Sequence, residues 1–196
     1  NGSGGTFTLS AGEVLGENLT VSAGTLDTSD VTLSVNGNTT INGGTWTTGT
    51  NTITFGDASS DTVTISSGTL NIESDNTTVD IVKNAGTWTN SGGTIAYVSP
   101  TAISISLLTA LSSYNTVTVN SAGSTYTFNG SIDANQSFKV LAGTAVVSSN
   151  LLNVGRDFDV TAGTFTATGG EIVFDGTGAQ TVTNGANSFN NLTITN

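Results

Sequence analysis

Any chemistry in this 196-residue chain has to come from few side chains: fourteen Asp and Glu, three Lys and Arg, and no His or Cys. Without imidazole or thiol there is no His-activated nucleophile, no thiolate, no zinc site of the usual kind and no disulfide framework. What remains is carboxylate chemistry. Asp157-Phe158-Asp159 is the best-spaced pair, because alternate residues of a strand share a face. Both carboxylates would stand outward beside Arg156, with Phe158 and Val160 inward. Paired acids on a sheet surface can hold calcium or protonate a glycosidic oxygen. Here no further acid converges on the pair, and the aromatic residues fall in the inward phase, where they make no sugar platform. A solvated outer face accounts for the pair more simply. Asp27 with Asp30, Asp57 with Asp61, and Glu73 with Asp75 sit in or near turns where calcium could bridge them. None has the EF-hand spacing or the Gly-Gly-x-Gly-x-Asp nonapeptide, so solubilising turn charges are the simpler account. The expectation is therefore no catalytic residue, no enzymatic activity and no cofactor, with calcium the one candidate ion.

Charge narrows the partners. The formal net charge is -11 and the sequence pI about 4.1. Lys83, Lys139 and Arg156 cannot neutralise a phosphate backbone, which excludes nucleic acid and disfavours anionic membranes. Apolar stretches are only a few residues long, far short of a membrane span. Asn1-Gly2-Ser3-Gly4-Gly5 is neither an initiator product nor a signal peptide, so the sequence reads as a processed protein or an excised piece. Seven Asn-x-Ser/Thr triplets, at Asn1, Asn18, Asn38, Asn76, Asn129, Asn135 and Asn191, are what chance gives at this composition, although glycosylation is open to an exported chain. Lys83 follows Val79 and Ile81 in the inward phase. A strand ending at Val82, with Lys83 in the turn, avoids burying an ammonium.

The elements that carry these residues are strands. Thr and Ser make up 61 residues, Asn 21 and Gly 25, against a single Pro, and hydrophobic residues are 35%. Thr, Ser, Asn and Gly are poor helix formers, while the low charge and single Pro are unlike a disordered chain. Thr6-Phe7-Thr8-Leu9-Ser10, Val31-Thr32-Leu33-Ser34-Val35, Thr52-Ile53-Thr54-Phe55, Val63-Thr64-Ile65, Thr116-Val117-Thr118-Val119 and Leu192-Thr193-Ile194-Thr195 alternate apolar with Thr or Ser. That period of two marks strands with one buried face. Clusters such as Gly56-Asp57-Ala58-Ser59-Ser60-Asp61 and Asn184-Gly185-Ala186-Asn187 mark turns.

Gly-Thr-apolar recurs along the whole chain: Gly5-Thr6-Phe7, Gly24-Thr25-Leu26, Gly44-Thr45-Trp46, Gly68-Thr69-Leu70, Gly86-Thr87-Trp88, Gly143-Thr144-Ala145 and Gly163-Thr164-Phe165, with a looser Gly123-Ser124-Thr125-Tyr126. Most intervals are about 18 to 24 residues, as coils of a stacked repeat would be. The expected fold is all-β, a parallel β-solenoid (β-helix) of roughly ten coils over 1–196 as a single array; an antiparallel β-sandwich or jelly-roll is the alternative. In a solenoid Phe7, Leu26, Trp46, Leu70, Trp88, Tyr126, Ala145 and Phe165 would stack as one inner ladder at about 4.8 Å, with Thr8, Thr32, Thr54, Thr64 and Thr118 outward. Gly92-Gly93-Thr94-Ile95-Ala96-Tyr97 aligns with Gly169-Gly170-Glu171-Ile172-Val173-Phe174, and Tyr114-Asn115-Thr116-Val117 with Asn190-Asn191-Leu192-Thr193. This gives super-repeats at approximately 1–120 and 121–196. Ser106-Leu107-Leu108-Thr109-Ala110-Leu111 could form a helical turn, but its counterpart near Gln180 reads as strand and loop.

The Gly-Thr-aromatic punctuation and the closing Phe189-Asn190-Asn191-Leu192-Thr193-Ile194 resemble the Thr/Gly-rich repeats of bacterial surface and adhesin-type proteins, and the coil length is similar to that of filamentous haemagglutinin-type β-helices. The resemblance implies a right-handed solenoid working at the cell exterior as a stalk, adhesin or fibre, with no catalytic residues to carry over. The expected function is accordingly that of an extracellular structural segment. It would join head to tail with itself, or with adjacent repeats of a longer chain, through edge strands carrying Thr6, Phe7, Thr8 and Leu9 at one end and Leu192, Thr193, Ile194 and Thr195 at the other. A carbohydrate-binding or carbohydrate-active β-helix, with glycans as partners, is the alternative. Ice binding is a minor one, since Thr here flanks apolar sites on several strands instead of recurring at two fixed sites on one face.

Overall fold

The computed structural model describes residues 4–76, 80–101, 104–106, 111 and 113–195. Among them there is no helix, and 57% lie in strands that pair only in parallel, as stacked coils of a β-solenoid with about nine turns. The parallel coil stack excludes the antiparallel sandwich. Two compact units divide the chain, Asn1–Ser99 and Pro100–Asn196. The ambiguous stretch at 107–110 lies outside the described residues.

In the first unit each coil contributes three strands. The first coil holds β1 (Thr6–Thr8), β2 (Glu13–Leu15) and β3 (Leu19–Val21); then follow β4 (Thr25–Asp27), β5 (Leu33–Val35) and β6 (Thr39–Thr47). The next are β7 (Ile53–Phe55), β8 (Thr62–Ile72), β9 (Ile81–Lys83), β10 (Thr87–Asn90) and β11 (Thr94–Tyr97). β6 and β8 each turn a corner and serve two faces. One face stacks β1, β4, the end of β6, the end of β8 and β11. A second stacks β3, the start of β6, the start of β8 and β10, and a third stacks β2, β5, β7 and β9. Because side chains alternate along a strand, each face sends one set inward. The rings of Trp46, Phe55 and Trp88 come from three different faces and meet in the interior, with centroids 5.0 and 4.8 Å apart.

The second unit is built the same way from β12 (Ser104–Ser106), β13 (Tyr114–Thr127), β14 (Ile132–Val147), β15 (Leu151–Val154), β16 (Asp157–Asp159), β17 (Thr164–Ala167), β18 (Glu171–Phe174), β19 (Thr181–Thr183) and β20 (Asn191–Ile194). Long β13 and β14 run round the coil, and β15, β16 and β17 stack on three successive parts of β14. Phe138 and Phe158 sit on adjacent rungs with near-parallel rings 5.9 Å apart.

The inner ladder follows the expected order as Phe7, Leu26, Trp46 and Leu70, but the next rung is Ile95, not Trp88. Trp88 stacks on Val63, one face over. Both are preceded by Gly-Thr, so the motif opens strands on two faces of the unit and does not single out one. Gly68 shows why a glycine is needed there: its φ is +78°, and a Cβ on it would lie 2.2 Å from the carbonyl oxygen of Gly44 in the coil below. In the second unit Ile105, Tyr126, Ala145 and Phe165 follow one another in register. Thr8 and Thr32 are exposed and Thr54 and Thr64 half-buried, as expected of outward positions. Thr118 departs from this and is buried, although it pairs with Lys139 in unbroken register between inward Val117 and Val119. Lys83 is the last residue of β9, not part of the turn, and is exposed. It pairs with Phe55 at the inward phase, and partial burial lowers the pKa of its ammonium.

Trp46 is fully buried, with the Phe55 ring of another face 5.0 Å away. Trp46→Ala should therefore cost about 3–5 kcal/mol, read as a lowered urea midpoint, whereas truncation of half-buried Thr54 should cost under about 1 kcal/mol.

Candidate functional site

The places where the stacking pattern stops are the terminal rungs. An inner side chain is normally covered by the rungs above and below it; on a terminal rung one cover is missing. In the first unit β1 pairs only with β4, β2 only with β5 and β3 only with β6. The other edge of all three strands carries no ladder partner among the described residues. Exposure falls inward along the ladder: Phe7 is 66% exposed, Leu26 half-buried and Trp46 fully buried. Val14 on β2 is 68% exposed. Behind this rung lies a hollow of about 630 Å³ whose lining includes Phe7, Leu9, Leu15, Leu19, Val21 and Leu26. It is the solenoid core at the first described rung.

The last rung of the second unit has the same form. β19 pairs only with β16, β20 only with β18, and Ser188 bridges to Thr166 between them. Val182, Leu192 and Ile194 are 46%, 48% and 66% exposed. Thr193 donates its hydroxyl to Glu171 Oε1 at 2.5 Å, and the Thr195 N–H donates to the Phe174 carbonyl at 2.9 Å. Beneath the rung, the Phe158, Phe165, Phe174 and Phe189 rings pack edge to face at 5.0 to 6.2 Å.

Of the residues singled out from the sequence, Thr6, Phe7 and Thr8 form edge strand β1. Leu9 follows it, half-buried, its N–H donated to Asp27. Leu192, Thr193 and Ile194 lie in edge strand β20, with exposed Thr195 just beyond. The two groups belong to different units, each at the terminal rung of its own. Sequence reading missed Val14, Leu15, Leu19 and Val182, which complete these rungs on the other faces. The signal was available: three strands per coil mean three edges per end.

The carboxylates are mostly engaged locally. Asp157 and Asp159 do share the outer face of β16 with Phe158 buried between them, and Arg156 stands 3.7 Å from Asp157 in an open ion pair. Asp159 accepts from the Thr161 hydroxyl at 2.5 Å. Asp61 accepts the N–H groups of Asp57 and Ala58, closing that turn, and Asp30 accepts from the Thr50 hydroxyl at 2.7 Å. Burial, then the charges of Asp27 and Asp30, raise the Glu73 carboxyl. Burial and a hydrogen bond to Asp75 raise Asp80, which accepts from Ser74 Oγ and the Asn76 N–H. A polar groove of about 610 Å³ in the second unit is lined by Asp133, Asn135, Gln136, Arg156, Asp175 and Thr177 among others; burial, then the charge of Asp175, raises Asp133 there. Among the described residues no three acidic side chains gather as a metal site, and no helix is long and apolar enough to cross a membrane.

Comparison with known proteins brings no counterpart: no family model, no curated protein and no solved structure matches the chain.

The raised carboxyls set a pH dependence. Glu73, Asp80 and Asp133 hold protons more tightly folded than unfolded, so their contribution to stability is present below the unfolded value and lost as pH rises through the folded one. Thermal unfolding should therefore move to higher temperature as pH is lowered from neutral into the carboxylate range, and Glu73→Gln should flatten part of that rise.

Proposed function

We propose that this protein is a structural β-solenoid segment of the cell exterior that assembles head to tail, the last rung of one copy adding to the first rung of the next. The observation that carries this reading is the pair of open terminal rungs, each an apolar end ringed by unpaired strand edges. An edge strand presents N–H and C=O groups that template further pairing, and a parallel rung added at either end extends the sheets already there. Burying a side chain such as Phe7 or Ile194 completely contributes roughly 1.5–3 kcal/mol each, and the three strands of the first rung and the two of the last act together. Contact between two different surfaces does not close on itself, so it yields fibres instead of rings. The same edges would equally take the next coil of a longer array. A charge of -11 per chain opposes lateral bundling, but is screened over roughly 8 Å at physiological salt. A non-enzymatic role at the cell exterior fits the Thr- and Asn-rich, Cys-free, acidic composition. The polar groove around Asp133 and Arg156 favours a second reading, glycan binding without turnover.

Negative-stain microscopy and light scattering over a concentration series test the proposal. The expected outcome is filaments that lengthen with concentration, and loss of them in Phe7→Lys or Ile194→Lys. A monodisperse monomer at every concentration, with its sheet content intact, would overturn it.

A further inference from the structure

The face of the first unit formed by β3, the start of β6, the start of β8 and β10 carries threonines in a strict column. Thr20 pairs with Thr40, Thr40 with Thr64, and Thr64 with Thr89. Between Leu19 and Ile41, and on to Ile65 and Asn90, the register is unbroken, so the four side chains stand one per rung on the outer surface. Two residues earlier on the same strands or just before them lie Asn18, Asn38, Thr62 and Thr87. Thr62 pairs with Thr87, while the Asn38 side chain accepts from the Thr62 N–H and hydroxyl at 2.8 and 2.9 Å. None of these eight positions is charged. Thr20 and Thr89 are exposed and Thr40 and Thr64 half-buried, and their four hydroxyls have no partner among the described residues. The inward residues between the two columns, Val63 and Trp88 among them, are buried and anchor the strands from behind. The threonines thus recur at one fixed site on every rung of this face, while the companion site holds Asn on two rungs and Thr on the other two. A five-rung column, Thr6, Thr25, Thr45, Thr69 and Thr94, stands on another face of the unit, but its companion positions include the Asp27 carboxylate.

We infer that the Thr20–Thr40–Thr64–Thr89 face binds the surface of ice. Rung spacing gives a repeat of about 4.8 Å along the column, and two residues of parallel strand give about 6.6 Å across it. These dimensions lie close to the oxygen repeats on a prism face of ice. The β-branched Thr side chain is stiff at χ1, so each hydroxyl and methyl is held in the same relation to its neighbours without further ordering. The Thr column repeats rung after rung beside a companion column of uncharged Asn and Thr and converges on no point, which suits a crystalline surface and not a small molecule. A sugar would be met by an aromatic platform, but Trp88 and the other rings of this unit's core point inward. A charged ligand would find no opposite charge at the eight positions.

The test uses fluorescently labelled full chain, an ice crystal grown slowly in its solution, and a recrystallisation assay. Uptake of the chain into the ice and inhibition of recrystallisation are expected. Thr40→Tyr with Thr64→Tyr should raise the concentration needed for inhibition at least tenfold, whereas Thr54→Tyr on the β5–β7–β9 face should leave it unchanged. Circular dichroism reports whether the variants keep their sheet. Should the Tyr pair lose it, Thr40→Ser with Thr64→Ser decides, since it keeps the hydroxyls and removes only the stiffening methyls; full activity in that pair overturns the inference. Exclusion of the parent chain from ice, or equal loss in the Thr54 control, overturns it as well.

Discussion

Everything in this fold depends on one constraint: an inner side chain is covered by the residues one coil above and one coil below it, at the spacing of paired strands. Trp46 is fully buried because Leu26 and Leu70 hold the adjacent rungs and Phe55, itself backed by Trp88, packs against its ring. The same rule fixes what lies outside the coil, since every inward residue forces its neighbours outward. A chain with only 35% hydrophobic residues can keep a dry core in this way, for a coil asks for apolar side chains only at its few inward positions. Small polar β-formers fill the rest.

The constraint also explains the corners. Coils in register bring backbone onto backbone, and at a corner the carbonyl of one coil occupies the place where a Cβ of the next would go. Gly68 over Gly44 is such a contact. Where the coil can widen, it does: partners are 19 residues apart between β1 and β4 but 28 apart between β7 and β9. Between β8 and β9 lie Glu73 and Asp80, whose carboxyl pKa values burial raises.

The fold was legible because its period is written in residue types: Gly before Thr before an apolar residue, and alternation within each strand. The parallel solenoid, the outward threonines and two of the edge strands all follow from that pattern. What the sequence did not disclose was which face each motif opens. Gly86-Thr87-Trp88 and Gly93-Thr94-Ile95 look alike, and only the pairing of Val63 with Trp88 and of Leu70 with Ile95 separates them. Coil length carries that information, and variable loops conceal it. The same difficulty hid Val14 and Val182 as members of the terminal rungs, and hid the alignment of Thr20, Thr40, Thr64 and Thr89, because a column is a property of register and not of spacing along the chain.

Pairing over 19 to 28 residues has a consequence for how the molecule comes into being. Each coil finds its partner in the coil made just before it, so no strand has to wait for a distant part of the chain. Folding can follow the order in which residues emerge, whether from a ribosome or through a narrow pore that admits only extended chain. Stability then grows approximately coil by coil, as a sum of nearest-neighbour terms. A segment that has docked its first coils outside a pore resists being drawn back, and every further coil adds to the pull. Were the chain to pass through such a pore, the solenoid would act as a ratchet, with thermal motion advancing the chain and rung formation holding the gain.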